Sequence, residues 1–214
     1  MELVIGAKRW SSWSMRPWLV LKRAGAPFRE RLIPLSRQGA APETVLAFSP
    51  SGRVPALRFG PEEGGRVIWD SLAIAEYVAD RYPEAGLWPA DPLRRSVARA
   101  ATAEMHAGFT ALRAECPMDL SLRTTVEPSE ACRADIRRVV ALWRELRGEA
   151  AADRGDPFLF GAWTVADAFY TPVATRFSSY GIDLAAFSDE DGSAQAYADA
   201  LLATPEFLAW EADA

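Results

Sequence analysis

Three serine hydroxyls lie within four residues of one another near the start of the chain. Ser11, Ser12 and Ser14 belong to the stretch KRWSSWSMRPWLVLKRAG, which separates an apolar run from a segment with helical spacing. Hydroxyls at the first turn of a helix can cap its free N–H groups or, together with them, bind an anion. We expect Ser14 to cap the helix, with Pro17 in the first turn, and the other two serines to be available to an anion.

A βαβ unit is predicted around these serines. Residues 2–6 form a short apolar run that suits a buried strand, residues 15–24 carry apolar side chains at helical spacing, and residues 27–35 suit a second strand. A crossover connection of this kind makes the two strands parallel. The serines therefore lie at the turn between the first strand and the first helix.

A second unit, of type ββα, follows. A short helix is expected near residues 44–48, and SPSGRVPALRFG and GRVIWD each contain a short strand, separated by a Gly-rich turn at residues 61–65. These two strands are expected to pair antiparallel. The stretch DSLAIAEYVADRY predicts a helix capped by Asp70 or Ser71. One face of this helix is apolar: Leu72, Ala75, Val78 and Ala79.

Prolines then mark a boundary, because YPEAGLWPADPL cannot continue a helix. We predict an N-terminal domain at residues 1–82, a linker at 83–92 and an all-helical domain at 93–214. In that domain Thr164 and Asp167 have the spacing of a helix capping box. Two apolar stripes at helical spacing support the helices: Leu93, Val97, Ala101, Met105, Phe109 and Leu112, and then Ile136, Val139, Val140, Trp143 and Leu146.

Composition excludes several classes of protein. Half of the residues are hydrophobic, yet no segment has the length of a membrane span or the pattern of a secretory signal, so we expect a globular cytoplasmic protein with no membrane partner. The net charge is −5, although residues 1–80 hold 11 Lys and Arg against 8 Asp and Glu, which suits a small anionic ligand. No Lys/Arg-rich run indicates a nucleic-acid partner. Cys116 and Cys132 lack the spacing of metal ligands and are expected to be reduced thiols.

The order of these elements resembles a known family. A βαβ unit followed by ββα, with Pro55 after Val54 at the start of the third strand, resembles the thioredoxin-like fold. With the helical domain added, the chain resembles the cytosolic glutathione transferases of the serine type, zeta and theta-like, over nearly its whole length. Three motifs carry this resemblance: SSWSMR, SPSGRVPAL and DSLAIAEY. It implies an α/β thioredoxin-like N-terminal domain (βαβ-α-ββα) followed by an all-α helical-bundle C-terminal domain.

The resemblance implies roles for residues that would bind glutathione as co-substrate. Asp70 would hold the ammonium group, and the Ser71 hydroxyl with the helix N-terminus would hold the γ-glutamyl carboxylate. The backbone of Val54 would pair with the cysteinyl peptide, which requires a cis bond to Pro55. Two further residues are expected to contact the rest of the tripeptide: Gln38 and Arg53.

Serine would serve the sulfur of glutathione as a hydrogen-bond donor. A thiol is only a few per cent ionised at neutral pH, and a hydroxyl donor beside a helix N-terminus stabilises the thiolate. Alignment on Arg16 leaves two registers, because the zeta-like pattern places the catalytic hydroxyl at Ser11 and the delta and theta-like pattern places it at Ser12. We favour Ser12, which lies closer to the helix.

One residue of the turn departs from the zeta pattern. Trp13 stands where the zeta class has cysteine, which disfavours isomerisation of the zeta type, and the turn has no cysteine for thiol transfer. We therefore expect conjugation of glutathione to a small electrophile, in detoxification, by a homodimer that needs no metal. Two alternatives stay open: a glutathione-dependent cis-trans isomerase of the maleylacetoacetate type, and a non-catalytic glutathione-binding protein.

The second substrate is poorly defined by the sequence. Its pocket is expected to involve aromatic and apolar side chains, although residues at helical spacing more often belong to a core. The candidates are Trp10, Trp13, Met105, Phe109 and Tyr180. The lone histidine, His106, is interpreted as a partly exposed helix residue and not as a base or ligand.

Overall fold

The computed structural model describes residues 1–34, 42–151 and 157–214, without the side chains of 42–43 and 149–151. The strands are β1 Glu2–Ile5, β2 Arg29–Leu32, β3 Ala56–Arg58 and β4 Val67–Trp69. The helices of the first half are α1 Ser12–Arg23, α2 Pro42–Leu46 and α3 Ser71–Arg81. Those of the second half are α4 Pro92–Ala107, α5 Thr110–Glu115, α6 Glu130–Ala151, α7 Val165–Ser179, α8 Ser193–Leu202 and α9 Pro205–Ala212. None of the described helices is long and apolar enough to cross a membrane.

The four strands form one mixed sheet in the order β2-β1-β3-β4. β1 pairs with β2 in parallel and with β3 antiparallel, and β3 pairs with β4 antiparallel. The βαβ-α-ββα prediction is therefore confirmed, as is a mostly helical second half. In the described part of that half, the only extended pairing is two isolated bridges, Phe158 with Gly161 and Phe160 with Ala162.

The first predicted stripe of the helical half is only partly buried. Leu93 and Val97 on α4 are 74% and 38% exposed, whereas Ala101 and Met105 are buried. The buried face of α4 therefore follows Ala98, Ala101, Thr102 and Met105. Phe109 is not part of α4, because the helix ends at Ala107 and Phe109 takes the left-handed conformation just before α5.

The second stripe lies fully in the core, as predicted. The ring of Trp143 on α6 makes edge contacts with Tyr170, Phe177 and Tyr197. The predicted capping box at the start of α7 is also present. Asp167 accepts from the Thr164 amide at 2.7 Å and from the Tyr197 hydroxyl at 2.8 Å. Burial raises the pKa of Asp167, and these donors oppose the shift.

The C-terminal helix fixes the segment that follows β1. Trp210 on α9 packs edge-on against Trp18 of α1 at 5.3 Å, and its indole N–H donates to the Lys8 carbonyl at 3.0 Å. The Lys8 ammonium lies near both rings and forms ion pairs of 2.8 Å with Glu30 and Asp213. Because the ammonium is buried and paired on two sides, these contacts fix the backbone three residues before Ser11.

Candidate functional site

A large cleft opens beside the N-termini of α1 and α3. Its volume is about 1160 Å³, above the usual range for one small-molecule site, so it has space for a tripeptide and a second molecule. Residues from both halves of the chain line it: Ala7, Trp10, Ser11, Ser12, Trp13, Val45, Ser51, Gly52, Arg53, Val54, Pro55, Trp69, Asp70, Ser71, Thr110, Arg113, Ala114, Pro117, Met118, Asp119 and Arg176.

The three serines at the start of α1 differ in their position and in their hydrogen bonds. The helix begins at Ser12, three residues earlier than predicted, and Ser11 is its N-cap. The Ser11 Oγ accepts from the Ser14 amide at 3.3 Å and donates to the Ser14 Oγ at 2.7 Å. Ser14 is fully buried and accepts from the Gly6 amide at 3.0 Å. The prediction that Ser14 caps the helix is therefore wrong, and Pro17 lies in the second turn.

Ser12 differs from the other two serines in its hydrogen bonding. Its Oγ accepts from Nη2 of Arg176 at 3.4 Å, a long bond, and in the described residues it donates to no other group. Its own hydroxyl proton is therefore free to point into the cleft. Ser12 occupies the first position of α1, where backbone N–H groups and the helix dipole also favour an anion.

Arg176 brings a buried positive charge to this hydroxyl. The residue is 4% exposed, and its guanidinium donates to the carbonyls of Cys116 at 2.9 Å and Pro172 at 2.7 Å. Burial lowers the pKa of Arg176 to about 10, and the neighbouring Arg113 cation adds to the shift. The group therefore stays charged at neutral pH. Arg176 was not among the residues predicted from the sequence, although a lone arginine inside the apolar stretch YTPVATRF was a usable signal.

The N-terminus of α3 forms the other end of the cleft. Asp70 caps this helix from a positive φ of 77°, and its Oδ1 accepts from the Leu72 amide at 2.8 Å. Ser71 is fully buried, and its hydroxyl has no hydrogen-bond partner in the described residues. A buried hydroxyl without a partner is costly, so this one is suited to a ligand that supplies the missing bond.

His106 contacts Asp70 from the helical half. Its Nε2 lies 3.2 Å from Asp70 Oδ2, and its ring packs edge-on against Trp13 at 5.1 Å. Burial lowers the pKa of His106, Asp70 opposes this, and Arg16 and Arg113 reinforce it. The side chain is 23% exposed, as expected, but it is part of the wall that supports the α3 N-terminus.

The remaining candidates divide between the cleft and the core. Val54 and Pro55 line the cleft and are joined by a cis peptide bond, as the resemblance implied, and exposed Arg53 precedes them. Gln38 lies outside the described residues. Trp10 and Trp13 line the cleft. Three other candidates for the second-substrate pocket are buried in the hydrophobic core and do not line the cleft: Met105, Phe109 and Tyr180.

A salt bridge ties the serine turn to the helical half. Arg9 binds Asp119 through two hydrogen bonds, of 2.7 Å from Nε and 3.3 Å from Nη2. The Leu120 amide also donates to the Arg9 carbonyl at 3.2 Å. These contacts hold the 117–119 wall of the cleft against the turn that carries Ser11 and Ser12, so both sides of the site keep a fixed spacing.

Comparison with known proteins agrees with this architecture. Residues 10–81 match the family model for the glutathione S-transferase N-terminal domain. The chain is 37% identical over 87 residues to pyrimidodiazepine synthase of Drosophila melanogaster, covering 41% of this chain and 35% of that protein. It is 36% identical over 105 residues to maleylacetoacetate isomerase of Pseudomonas aeruginosa, covering 48% of this chain and 47% of that protein. The chain thus spans less than half the length of either curated relative.

A solved structure matches over the whole chain. A glutathione transferase homolog from Burkholderia gl BGR1, crystallised with bound glutathione, superposes with a TM-score of 0.71 at 23% identity and covers 100% of this chain and 98% of its own. This likeness concerns the fold, while the family-model match concerns the sequence of the N-terminal domain. Residues 10–81 therefore match the glutathione S-transferase N-terminal domain family, and the chain as a whole has the fold of that solved structure.

Proposed function

We propose that this protein is a glutathione transferase that adds the thiolate of glutathione to a small electrophile. The observation that carries the proposal is the position of Ser12. Its hydroxyl lies at the first residue of α1, faces the cleft with an uncommitted proton, and accepts a hydrogen bond from the buried cation Arg176. Donors arranged in this way favour an anion over a neutral thiol.

The chemistry required is a shift in the thiol equilibrium. At an ordinary pKa of about 8.5 only a few per cent of a thiol is ionised at neutral pH, and lowering that value by two units takes roughly 2.7 kcal/mol. The Ser12 hydroxyl would donate to the sulfur anion after the thiol proton has left to water. The Arg176 charge behind it, 3.4 Å from Oγ, would polarise the hydroxyl and favour the same charge state.

The rest of the tripeptide would bind along the N-terminal domain, which we place at residues 1–82. Ser71 would donate its unpartnered hydroxyl to the γ-glutamyl carboxylate, and Asp70 would accept from the ammonium. The backbone of Val54, held by the cis bond to Pro55, would pair with the cysteinyl peptide, and Arg53 would approach the glycyl end. Together these residues would pair with the ammonium group, the two carboxylates and the cysteinyl peptide of glutathione.

The same activated sulfur could serve an isomerase instead. One relative at 36% identity is a maleylacetoacetate isomerase, and in such a reaction the thiolate would add to a cis double bond and leave after rotation. Trp13 occupies the place where the zeta class has cysteine, so we rank conjugation first. Both reactions use the same proposed sulfur site.

The test combines binding and turnover. We expect titration calorimetry to show glutathione binding, and we expect conjugation of 1-chloro-2,4-dinitrobenzene at rates above the uncatalysed reaction. Activity confined to a cis-enone diacid would favour the isomerase. Glutathione binding without either activity would indicate a non-catalytic binding protein, and absence of glutathione binding by the folded protein would overturn the proposal.

Two further features belong to the proposal. Leu93 and Val97 are one helical turn apart on α4 and exposed, which supports a homodimer that would cover them.

Cys116 and Cys132 are buried free thiols, which supports a reducing, cytoplasmic location. Burial raises the pKa of Cys132 to about 12, so this thiol stays protonated and is suited to packing.

A further inference from the structure

We propose that the helical side of the cleft holds a carboxylate subsite formed by Arg113 and Arg176, so that the preferred electrophile carries a carboxylate. This inference rests on the proposed function and goes beyond it, because it names the chemical class of the second substrate. Both arginines line the cleft, one from α5 and one from α7.

Arg113 presents unused donors to the cleft. One nitrogen, Nη1, donates to the carbonyls of His106 at 3.4 Å and Gly108 at 3.2 Å, which fixes the guanidinium in place. In the described residues the Nε and Nη2 groups have no hydrogen-bond partner. Arg113 is half-buried, and this burial lowers the pKa of its guanidinium. A planar group with two adjacent free donors is suited to a carboxylate.

The positive charges of this wall are not balanced by acids. Within the described part of the chain, neither Arg113 nor Arg176 forms an ion pair with a carboxylate. Both donate to backbone carbonyls, and Arg176 also donates to the Ser12 hydroxyl. The two acids that line the cleft are engaged elsewhere, Asp70 with His106 and Asp119 with Arg9. Buried cations without a counter-ion are costly, and an anionic ligand would remove that cost.

A third guanidinium strengthens the positive field. Arg16 is fully buried behind this wall, and all three of its nitrogens lack partners in the described residues. Its guanidinium lies 4.3 Å from the Trp13 ring centre, and that of Arg113 lies 4.8 Å from the same ring. Burial and the charges of Arg113 and Arg176 lower the pKa of Arg16, and the charge of Asp70 opposes this shift. Two cations, Arg16 and Arg113, therefore lie against one aromatic ring beside the serine turn, and Arg176 adds a third positive charge near both.

Glutathione does not account for this wall. Its carboxylates are assigned to Ser71 and Arg53, which belong to the N-terminal domain. The sulfur is assigned to Ser12, which contacts Arg176 on the helical side. Arg113 lies beyond that point, beside Thr110 and Ala114, where the electrophile would approach. An aromatic electrophile would pack on Trp13 and direct its carboxylate to the guanidinium pair.

The test uses two electrophiles that differ in one charge, 4-chloro-3-nitrobenzoate and its methyl ester. In both, the glutathione thiolate attacks the carbon that bears chlorine, the C–S bond forms, and chloride leaves with the bonding electrons of the C–Cl bond. The thiol proton goes to water. The measured quantity is the ratio of kcat/KM for the acid to that for the ester, each divided by its uncatalysed rate constant.

We expect the wild-type ratio to exceed 1 and to fall about 10-fold to 100-fold in Arg113→Gln, since one charge-assisted hydrogen bond is lost. Arg113→Lys keeps the charge and is expected to retain part of the ratio. Arg66→Gln, an exposed arginine outside the cleft, is the control and should keep the ratio. A wild-type ratio at or below 1, or an equal loss on acid and ester in Arg113→Gln, overturns the subsite and leaves the transferase proposal intact.

A binding measurement tests the carboxylate subsite if neither electrophile reacts. Unreactive 3-nitrobenzoate is titrated by calorimetry into the protein saturated with S-methylglutathione, against methyl 3-nitrobenzoate as the neutral reference. Preferential binding of the acid that weakens in Arg113→Gln supports the subsite even if conjugation fails. Equal binding of acid and ester, or equal binding by wild type and variant, overturns it.

Discussion

Replacing Ser12 by alanine tests which hydroxyl faces the sulfur. The variant removes the hydroxyl that is proposed to donate to the thiolate. Among the described side-chain hydrogen bonds of the folded protein, it breaks only the 3.4 Å bond from Arg176. A hydrogen bond to a charged group contributes about 1.5 to 3 kcal/mol. Since one pKa unit corresponds to about 1.4 kcal/mol, the pKa of bound glutathione is expected to rise by about 1 to 2 units in Ser12→Ala.

Ser11→Ala is the matched control, because it changes the neighbouring hydroxyl of the same turn. The Ser11 Oγ caps α1 and bonds to Ser14, so its loss is expected to cost about 1 kcal/mol of stability, or roughly 2 to 4 °C in Tm. Its hydroxyl proton is directed to Ser14 and not to the cleft. The pKa of bound glutathione is therefore expected to stay near its wild-type value.

The assay follows thiolate ultraviolet absorbance of the glutathione complex against pH, with kcat and glutathione affinity measured in parallel. Ser12→Ala is expected to lower kcat with little change in affinity, since the bond strengthens mainly with the anion. If Ser11→Ala alone moved the pKa, the zeta-like register would be right. If neither variant moved it, backbone N–H groups would hold the thiolate and the assignment of the serines would be wrong.

Four other expectations can be measured directly. Ser71→Ala is expected to weaken glutathione binding by calorimetry about 10-fold to 100-fold with no loss of Tm, because its hydroxyl has no partner to lose in the described protein; unchanged affinity would remove this residue from the site. Because the pKa of folded His106 is depressed below 6.5, stability should fall as pH drops below about 6.5 toward the folded value, and His106→Gln should flatten that part of the denaturation profile; an unaltered profile would contradict the linkage. Asp167→Ala is expected to lower the free energy of unfolding by roughly 3 kcal/mol in urea, since it leaves buried donors unpaired, and a loss below 1 kcal/mol would refute this. Light scattering is expected to give twice the mass of one chain, and that of a single chain for Leu93→Glu; a monomeric wild type would refute the dimer.

Local patterns in the sequence determined the elements and their pairing. The alternation of apolar runs and turn residues specified a βαβ-α-ββα order, and chain connectivity then made β1 and β2 parallel and β3 and β4 antiparallel. The capping box at Thr164 and Asp167 was also readable, because its hydrogen bonds join residues three apart. Such features depend on neighbours in the chain, so sequence alone carries them.

The sequence did not determine which face of each helix is buried, because burial depends on which neighbouring element covers that face. Leu93 and Val97 continued a helical stripe in the sequence but are exposed, because α4 packs through a rotated face. Met105 and Phe109 were named as candidates for a pocket wall although their spacing favoured a core, and the packing of the helices placed both in the core. Periodicity gives the spacing of a stripe, but not which of several adjacent stripes the tertiary contacts bury.

The candidate site also combines motifs that are visible in the sequence with contacts that only folding creates. The serine turn and the Asp70–Ser71 pair were visible as short motifs, but the individual role of each serine was not, because it depends on single hydrogen bonds. Only the tertiary structure brought Arg176 to Ser12 across 164 positions of chain. It also placed His106 beside Asp70 and the guanidiniums of Arg16 and Arg113 against Trp13. Electrostatic interactions act through space, so a charge distant in sequence enters the site only when folding brings it near.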